Sequence, residues 1–166
     1  MSPSRTDPSA TGPYRLKGAV GSPYSLKMRA ALRYRRLPHV WETGQAAFAT
    51  AQSMRAPVIP VLQFPNGELK NDSTPLLAEL DALHAGRELT PPDPADRFLA
   101  LLIEDFADEW LTKAMFAYRW TREIDQRVMS RRLAWDFLMG GGEERIVQAA
   151  DMFRDRQVGR MARVGC

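Results

Sequence analysis

The stretch VIPVLQFPNGELKND, residues 58–72, restricts the possible folds more than any other part of this sequence. Its two short apolar pieces flank Asn66-Gly67, a dipeptide typical of tight hairpins, so the pieces are predicted to pair as antiparallel strands. Pro60 lies inside the first piece, and proline is excluded from ordinary central strand positions. The strand therefore either begins at Pro60 or has an unusual prolyl bond there.

A strand, a sharp turn and a helix are predicted upstream of this hairpin. Residues 14–20, YRLKGAV, suit a short buried strand. Ser22 then stands where a helix N-cap would, Pro23 takes the first helical position, and apolar residues recur behind it at helical spacing. Leu37-Pro38 ends this helix, and HVWET, residues 39–43, is predicted to be a second short strand.

The elements around the hairpin complete one compact layer. Residues 44–54 are rich in alanine and are predicted to form a short helix. After the hairpin, Asp72-Ser73 opens a further helix with leucines along one face. The order β-α-β-α-β-β-α across residues 14–85 predicts a parallel βαβ unit followed by a hairpin and a covering helix.

The second half of the sequence is predicted to be entirely helical. A linker rich in proline and glycine, AGRELTPPDP, precedes it; Asp93 caps and Pro94 starts a long helix with a wide apolar stripe. Further helical segments are predicted at about 121–139 and 143–163, with Gly140-Gly141-Gly142 between them. An α/β domain followed by an all-α domain is therefore the predicted fold class.

Composition and charge exclude several classes of function. No apolar run approaches the roughly 20 residues that a membrane span needs. The first dozen residues resemble a flexible tail rather than a secretory signal, and Cys166 is the only cysteine, so a reducing cytoplasm is the predicted location. The net charge is +3, and basic residues crowd into Lys27–Arg36, but no aromatic or motif support for nucleic-acid binding accompanies them.

Two further clusters are predicted to be structural. Glu104, Asp105, Asp108 and Glu109 have no histidine nearby and suit a solvated helix face better than a metal site, so no metal is expected. The aromatic group Trp110, Phe116, Tyr118 and Trp120 is expected to belong mainly to a core, although part of it could line a substrate pocket.

SPYS after the first strand, VIPVL before the hairpin and the Asp72-Ser73 pair together resemble the cytosolic glutathione S-transferase family over residues 14 to about 165. The resemblance implies a thioredoxin-like domain at 14–85, a linker at 86–93 and a helical domain at 94–166, preceded by a flexible tail at 1–13. The family's helical domain contains several more helices than this sequence does. The sequence is therefore expected to be a fragment, or its apolar surface to be covered by another subunit.

In this family the reactive thiol belongs to bound glutathione, and the protein stabilises its thiolate. A hydroxyl at the positive end of a helix dipole favours the anion, and Ser22 is placed to provide it. Ser22 cannot form a mixed disulfide, which counts against thiol-transferase activity. Tyr24 and Ser25 are the alternative hydroxyls, and a purely capping Ser22 is the structural alternative.

The other motifs correspond to the glutathione-binding residues of the family. Pro60 matches a cis-proline, and Ile59 would offer backbone hydrogen bonds to the cysteinyl part of glutathione. Ser73 would hold the γ-glutamyl carboxylate and Asp72 would face the ammonium group, although the family more often has Glu at this place. A trans edge-strand proline and a simple helix-capping pair are the alternatives.

The resemblance implies a cytoplasmic detoxifying enzyme, a glutathione transferase that takes glutathione and a small apolar electrophile held between its domains, as a monomer or a homodimer. The main rival is a non-catalytic glutathione-binding or protein-interaction module. A third hypothesis is an anion- or RNA-binding protein that uses the Lys27–Arg36 face.

Overall fold

The computed structural model describes residues 12–165, so most of the predicted tail and Cys166 lie outside the described residues. The strands are β1 (Tyr14–Lys17), β2 (His39–Glu42), β3 (Val61–Gln63) and β4 (Leu69–Asn71). The helices are α1 (Pro23–Tyr34), α2 (Gln45–Gln52), α3 (Ser73–Leu83), α4 (Pro94–Phe106), α5 (Thr112–Trp120), α6 (Glu123–Leu138), α7 (Glu143–Val158) and α8 (Met161–Val164). The chain divides into two compact units between Thr90 and Pro91, inside the predicted linker.

The N-terminal unit contains one mixed sheet of four strands in the order β2-β1-β3-β4. β1 is parallel to β2 and antiparallel to β3, and β3 is antiparallel to β4. This confirms the predicted βαβαββα thioredoxin-like order. The strands are shorter than predicted: β1 ends at Lys17, three residues before the end of the apolar stretch.

The hairpin forms as its turn residues predict. Gly67 adopts φ 88°, the left-handed conformation that glycine tolerates without a steric penalty, and the Asn66 side chain accepts a hydrogen bond from the Glu68 amide at 3.0 Å. β3 begins at Val61, directly after Pro60, and the Ile59-Pro60 bond is cis. The trans alternative for Pro60 is therefore wrong.

The core of this unit lies between the sheet and the helices α1 and α3. Eight buried side chains form it, with Leu37, Trp41 and Leu77 packed against them: Tyr14, Leu16, Met28, Leu32, Leu62, Phe64, Leu76 and Leu80. Leu83, predicted to lie on the buried face of α3, is partly exposed at 39%. The periodicity of the apolar residues thus identified the buried faces correctly except at the end of α3.

A buried arginine connects α1 to the segment after α3. The Arg35 guanidinium forms an ion pair with Asp81 and donates a hydrogen bond to the His84 carbonyl. The Asp81 carboxylate in turn accepts hydrogen bonds from the backbone amides of Leu89 and Thr90 at 3.1 and 2.9 Å. Although burial alone would raise the pKa of Asp81, these partners hold it below its ordinary value.

Tyr14 and His84 extend this network into the core. The Tyr14 hydroxyl and His84 Nε2 are 2.7 Å apart. Burial, followed by the nearby charge of Arg35, lowers the pKa of His84, whereas burial and the charge of Glu79 raise the pKa of Tyr14. Both shifts favour the neutral forms of the phenol and the imidazole.

The C-terminal unit begins with α4, which Asp93 caps and Pro94 starts, as predicted. The Asp93 carboxylate accepts hydrogen bonds from the Ala95 and Asp96 amides at 2.9 and 3.1 Å. α4 continues without interruption through a π-helical turn, Ala107–Leu111, into α5. The sequence contains no signal that predicts this turn.

The helices α6 and α7 are separated by the three glycines at 140–142, as predicted from the sequence, and they pack against each other; α7 ends at Val158, before the predicted end at about residue 163. Met139 adopts the left-handed conformation, φ 55°, and ends α6. Four buried residues form the core of this pair: Ala134, Ile146, Ala150 and Phe153. Phe153 contacts Phe137 edge to face, with ring centroids 5.7 Å apart.

The apolar stripe of α4 is exposed in this structure. Phe98 and Ile103 expose 64% and 66% of their surface, and Trp110, in the π-helical turn that follows α4, exposes 63%. The pattern predicted the helix correctly, but no residue of α4 is buried. None of the helices within residues 12–165 is long and apolar enough to cross a membrane.

Candidate functional site

Three of the predicted motifs leave the sheet at the same end. Lys17 at the end of β1 is paired with Val61 at the start of β3, and Val61 is paired with Asn71 at the end of β4. Because neighbouring strands lie about 5 Å apart, the turn after β1, the segment before β3 and the segment after β4 emerge side by side. The register therefore brings the SPYS turn, Ile59-Pro60 and Asp72-Ser73 to one edge of the sheet.

Ser22 caps α1 and keeps a proton to donate. Its backbone is extended, φ −95° and ψ 119°, and its hydroxyl oxygen accepts a hydrogen bond from the Ser25 amide at 3.2 Å. A serine hydroxyl has two acceptor lone pairs and one donor proton, so the cap leaves the donor available. Capping the helix and contacting an anion are therefore compatible roles for the half-buried Ser22.

Ser25, the first alternative hydroxyl, faces the protein interior. It is fully buried, and its oxygen accepts a hydrogen bond from the Ala19 amide at 3.3 Å. Gly18 packs so closely against it that a Cβ atom at position 18 would lie 2.5 Å from the Ser25 oxygen. This enclosure leaves no room for a ligand beside Ser25. Tyr24, the other alternative, is half-buried in the first turn of α1.

Asp72 and Ser73 open α3 in an unusual conformation. Asp72 has φ 80° and ψ 109°, outside the regions that residues with a side chain normally adopt, and such a backbone costs about 1–3 kcal/mol. Its side chain is exposed and makes no capping hydrogen bond, so the capping alternative is wrong for Asp72. Ser73 is buried in the first turn of the helix. A strained residue of this kind is typical of ligand-binding sites.

The electrostatics of this edge favour an anion. α1 and α3 both begin there, and the backbone N–H groups of a helix's first turn carry partial positive charge. Neither helix has an acidic residue in its first turn, and the one carboxylate at their N-caps is that of the exposed Asp72. The edge can therefore hold one or two anionic groups with hydroxyl and amide donors.

The basic segment of α1 does not form a single exposed face. Arg35 is buried in its ion pair with Asp81, and the Arg29 guanidinium stacks over the Trp41 ring at 5.3 Å. Arg33 and Arg36 remain exposed. The predicted anion- or RNA-binding face of Lys27–Arg36 thus loses two of its members to structural roles.

The aromatic group that was predicted to be mainly core is only partly buried. Of the four aromatic residues predicted to be mainly core, Trp120 is buried and Phe116 packs against it at 6.2 Å, but Trp110 and Tyr118 are 63% and 82% exposed. Core burial was thus wrongly predicted for these two. No group of three or more His, Cys, Asp or Glu side chains within residues 12–165 is arranged to hold a metal ion.

Asn71 was missed in the sequence because its contacts are distant along the chain. Its side-chain amide donates hydrogen bonds to the Ala56 and Val58 carbonyl oxygens at 2.6 and 3.4 Å. It lies between the two predicted ligand-binding segments, directly before Asp72. Its position at the end of a predicted strand is the one local signal that could have drawn attention to it.

The N-terminal unit matches a known protein family. Residues 16–88 match the family described as glutathione S-transferase, N-terminal domain. No curated protein sequence is significantly similar to this chain.

Solved structures share the fold. A glutathione S-transferase from Methylobacillus flagellatus KT with glutathione bound is 23% identical with a TM-score of 0.54, and the match covers 90% of this chain and 67% of that one. One from Methylobacterium radiotolerans JCM 2831, in complex with glutathione sulfonate, is 24% identical with a TM-score of 0.57, and the match covers 92% of this chain and 66% of that one. A Tau class glutathione S-transferase from mango, Mangifera indica, is 22% identical with a TM-score of 0.52, and the match covers 89% of this chain and 58% of that one. The chain thus spans about two thirds or less of these relatives.

Proposed function

Because the N-terminal domain of this chain belongs to the glutathione S-transferase family, we propose that the protein binds glutathione and activates its thiol for conjugation to a small apolar electrophile. Ser22 is the catalytic residue in this proposal. Ile59, Pro60, Asp72 and Ser73 form the glutathione-binding site.

The single observation that carries the proposal is the strand register. It brings a capping serine with a free donor proton, a segment next to a cis-proline and a strained residue at a helix N-terminus to one edge of the sheet. A structural cap at Ser22 would not require the other two features at the same edge. Glutathione, with a thiol flanked by two charged ends, has the matching groups.

The chemistry of the thiol follows from its surroundings. A free thiol has a pKa of about 8.5 and is mostly protonated at neutral pH. A hydrogen bond from the Ser22 hydroxyl and the positive end of α1 both favour the thiolate, and the thiol proton passes to solvent. The thiolate sulfur then attacks an electrophilic carbon; a sulfur–carbon bond forms, and for an aryl halide the halide leaves with its electron pair.

The rest of glutathione is held by the other two segments. The Ser73 hydroxyl and the first-turn amides of α3 bind the γ-glutamyl carboxylate, and the backbone of Ile59 pairs with the cysteinyl residue. Asp72 faces the γ-glutamyl ammonium group. Its shorter side chain, compared with the Glu that the family more often has, sets a shorter reach to that group.

The test measures binding and turnover together. We expect the full chain to be retained on immobilised glutathione and to conjugate a generic aryl halide. Ser22→Ala is expected to lower the conjugation rate about 100-fold, as removal of one donor to a reacting anion does elsewhere. The pKa of the bound thiol, followed by thiolate absorbance against pH, is expected to rise towards its free value.

Two control variants separate the hydroxyl from the cap. Ser22→Thr keeps the hydroxyl and is expected to keep most of the rate. Ser22→Gly removes the hydroxyl but costs the helix only a few tenths of a kcal/mol, so it is expected to be as slow as Ser22→Ala while remaining folded. An unchanged rate in Ser22→Gly contradicts the catalytic role of Ser22. Binding without turnover in the wild type indicates the non-catalytic module instead.

The cellular setting forms part of the proposal. Glutathione is a useful nucleophile only where it is kept reduced, so we assign the protein to the cytoplasm, with detoxification of electrophiles as its role. The homodimer that the sequence predicts stays a prediction, which light scattering of the full chain would test.

A further inference from the structure

The segment between α2 and β3 presents the predicted cysteinyl-binding residues; Pro60 at its end is buried, but little apolar burial holds residues 56–58 in place. Ala56 and Pro57 are exposed, and Val58 exposes 52% of its surface. A tight turn centred on Pro57 shapes the segment, because the Val58 amide donates a hydrogen bond to the Ala56 carbonyl at 2.8 Å. Polar contacts are therefore what hold residues 56–58, directly before Ile59, in place.

Asn71 supplies such contacts from the neighbouring strand. Its side-chain nitrogen lies 2.6 Å from the Ala56 carbonyl oxygen and 3.4 Å from that of Val58. A carboxamide nitrogen carries two protons, so it can donate to both carbonyls at once. Asn71 ends β4 and is paired with Val61, so its backbone is fixed by the sheet.

We propose that Asn71 is a positioning residue for glutathione, which ties the 56–58 turn to the end of β4 and so sets the distance between Ile59 and the Asp72-Ser73 pair. This inference rests on the proposed function. One side chain then couples the segment for the cysteinyl residue to the segment for the γ-glutamyl residue. Loss of the coupling weakens glutathione binding without removing any group that touches glutathione.

The choice of side chain follows from this geometry. Asn71→Leu has nearly the same shape but removes both donor protons. Asn71→Asp turns the donor into an acceptor that faces two carbonyl oxygens, which is repulsive. Asn66→Asp is the matched control, because it makes the same change in the same hairpin at a side chain that serves as an acceptor, a role that a carboxylate keeps.

The experiment compares the full-length wild type with these three variants in conjugation of an aryl halide. We expect KM for glutathione to rise roughly three- to tenfold in Asn71→Leu and further in Asn71→Asp, as expected for two lost hydrogen bonds. The kcat at saturating glutathione stays within about twofold, since Ser22 is untouched. Asn66→Asp keeps the wild-type KM, and the dissociation constant of glutathione from calorimetry follows KM.

Hydrogen exchange provides a readout that does not depend on glutathione. The Val58 amide is expected to exchange faster in both Asn71 variants and at the wild-type rate in Asn66→Asp. Asn71→Ser, which is too short to reach either carbonyl, serves as a further variant should Asn71→Leu be poorly folded, and the same rise in KM is expected for it.

The possible failures are distinguishable. A wild type that binds glutathione, with an unchanged KM in folded Asn71 variants, overturns the role of Asn71 and leaves the proposed function intact. A fall in kcat with KM unchanged also overturns it. A wild type that binds no glutathione overturns the proposed function and this role together, whatever the exchange rate of Val58.

Discussion

The two units of this protein use apolar residues in opposite ways. In the N-terminal unit, apolar residues of β1, β3, α1 and α3, together with Phe64, meet in one core of buried side chains. In the helical unit, α6 and α7 share a small core, while α4 carries a strong apolar stripe with no buried residue. A pattern of apolar residues therefore predicts an element, but burial also requires a partner for that element.

The largest expected effect tests the core itself. Leu62→Ala, at a fully buried position in β3, is expected to lower the free energy of unfolding of the N-terminal unit by about 4 kcal/mol. Leu102→Ala, at a position on α4 that is 52% exposed, is expected to cost less than about 1 kcal/mol. Hydrogen exchange of the β1 and β3 amides measures the first loss. If both substitutions lowered the free energy of unfolding equally, the two units would not differ in how they use apolar residues.

The next effect compares one ion pair from each unit. Arg35→Met leaves Asp81 without its buried partner and is expected to cost about 3 kcal/mol. Arg127→Met breaks an exposed pair with Glu123, N···O 3.1 Å, and is expected to cost less than about 0.5 kcal/mol. Urea unfolding measures both. A small loss in Arg35→Met would show that the backbone amides at Leu89 and Thr90 suffice for Asp81.

A smaller expected effect is a loss of folding stability at acidic pH, caused by His84. The pKa of His84 is lower in the folded protein than its ordinary value of 6.5, so the unfolded chain takes up the proton first. Stability from this group is complete above about pH 6.5 and is lost as the pH falls below it, with a limiting slope of about 1.4 kcal/mol per pH unit for one proton. Both histidines of the sequence, His39 and His84, lie in the N-terminal unit, so the helical unit lacks this response.

The measurement is urea unfolding at several pH values between 5 and 8. His84→Gln is expected to flatten the dependence of the free energy of unfolding on pH. A wild-type slope that survives in His84→Gln would place the acid-sensitive group elsewhere.

The smallest expected effect tests the exposed apolar residues of α4 and of the π-helical turn that follows it. Ile103→Gln and Trp110→Gln replace exposed apolar side chains and are expected to change the free energy of unfolding by less than about 0.5 kcal/mol while reducing the fluorescence of a bound hydrophobic dye. A loss above about 2 kcal/mol would mean that the α4 stripe is covered in solution.

Local chemistry explains which parts of this fold could be predicted from the sequence. Ser22-Pro23, Asp93-Pro94 and Asn66-Gly67 specify their caps and turn through neighbours in the chain, and each formed as predicted. The apolar repeats then gave the element order. The burial of Trp110 and Tyr118 was wrong because periodicity says nothing about whether another surface meets that face.

The candidate site has the same limit. Ser22, Pro60 and Asp72 were predicted as site residues from local motifs, but the preference for Ser22 over Ser25 rests on the packing of Gly18 against Ser25, which the sequence does not reveal. Asn71 contacts a carbonyl 15 residues away, so only the folded hairpin reveals it. Residues that act through distant backbone groups are the ones that motif reading misses.

The π-helical turn at Ala107–Leu111 has a consequence for the length of the helix that contains it. Such a turn accommodates one more residue than the same stretch of regular α-helix. Deleting Glu109 would restore uniform α-helical winding, and α4 and α5 would keep their present orientations. In a regular α-helix, one added residue rotates every later residue by about 100° around the helix axis. Here the π-helical turn takes up the added residue, so α5 is not rotated relative to α4.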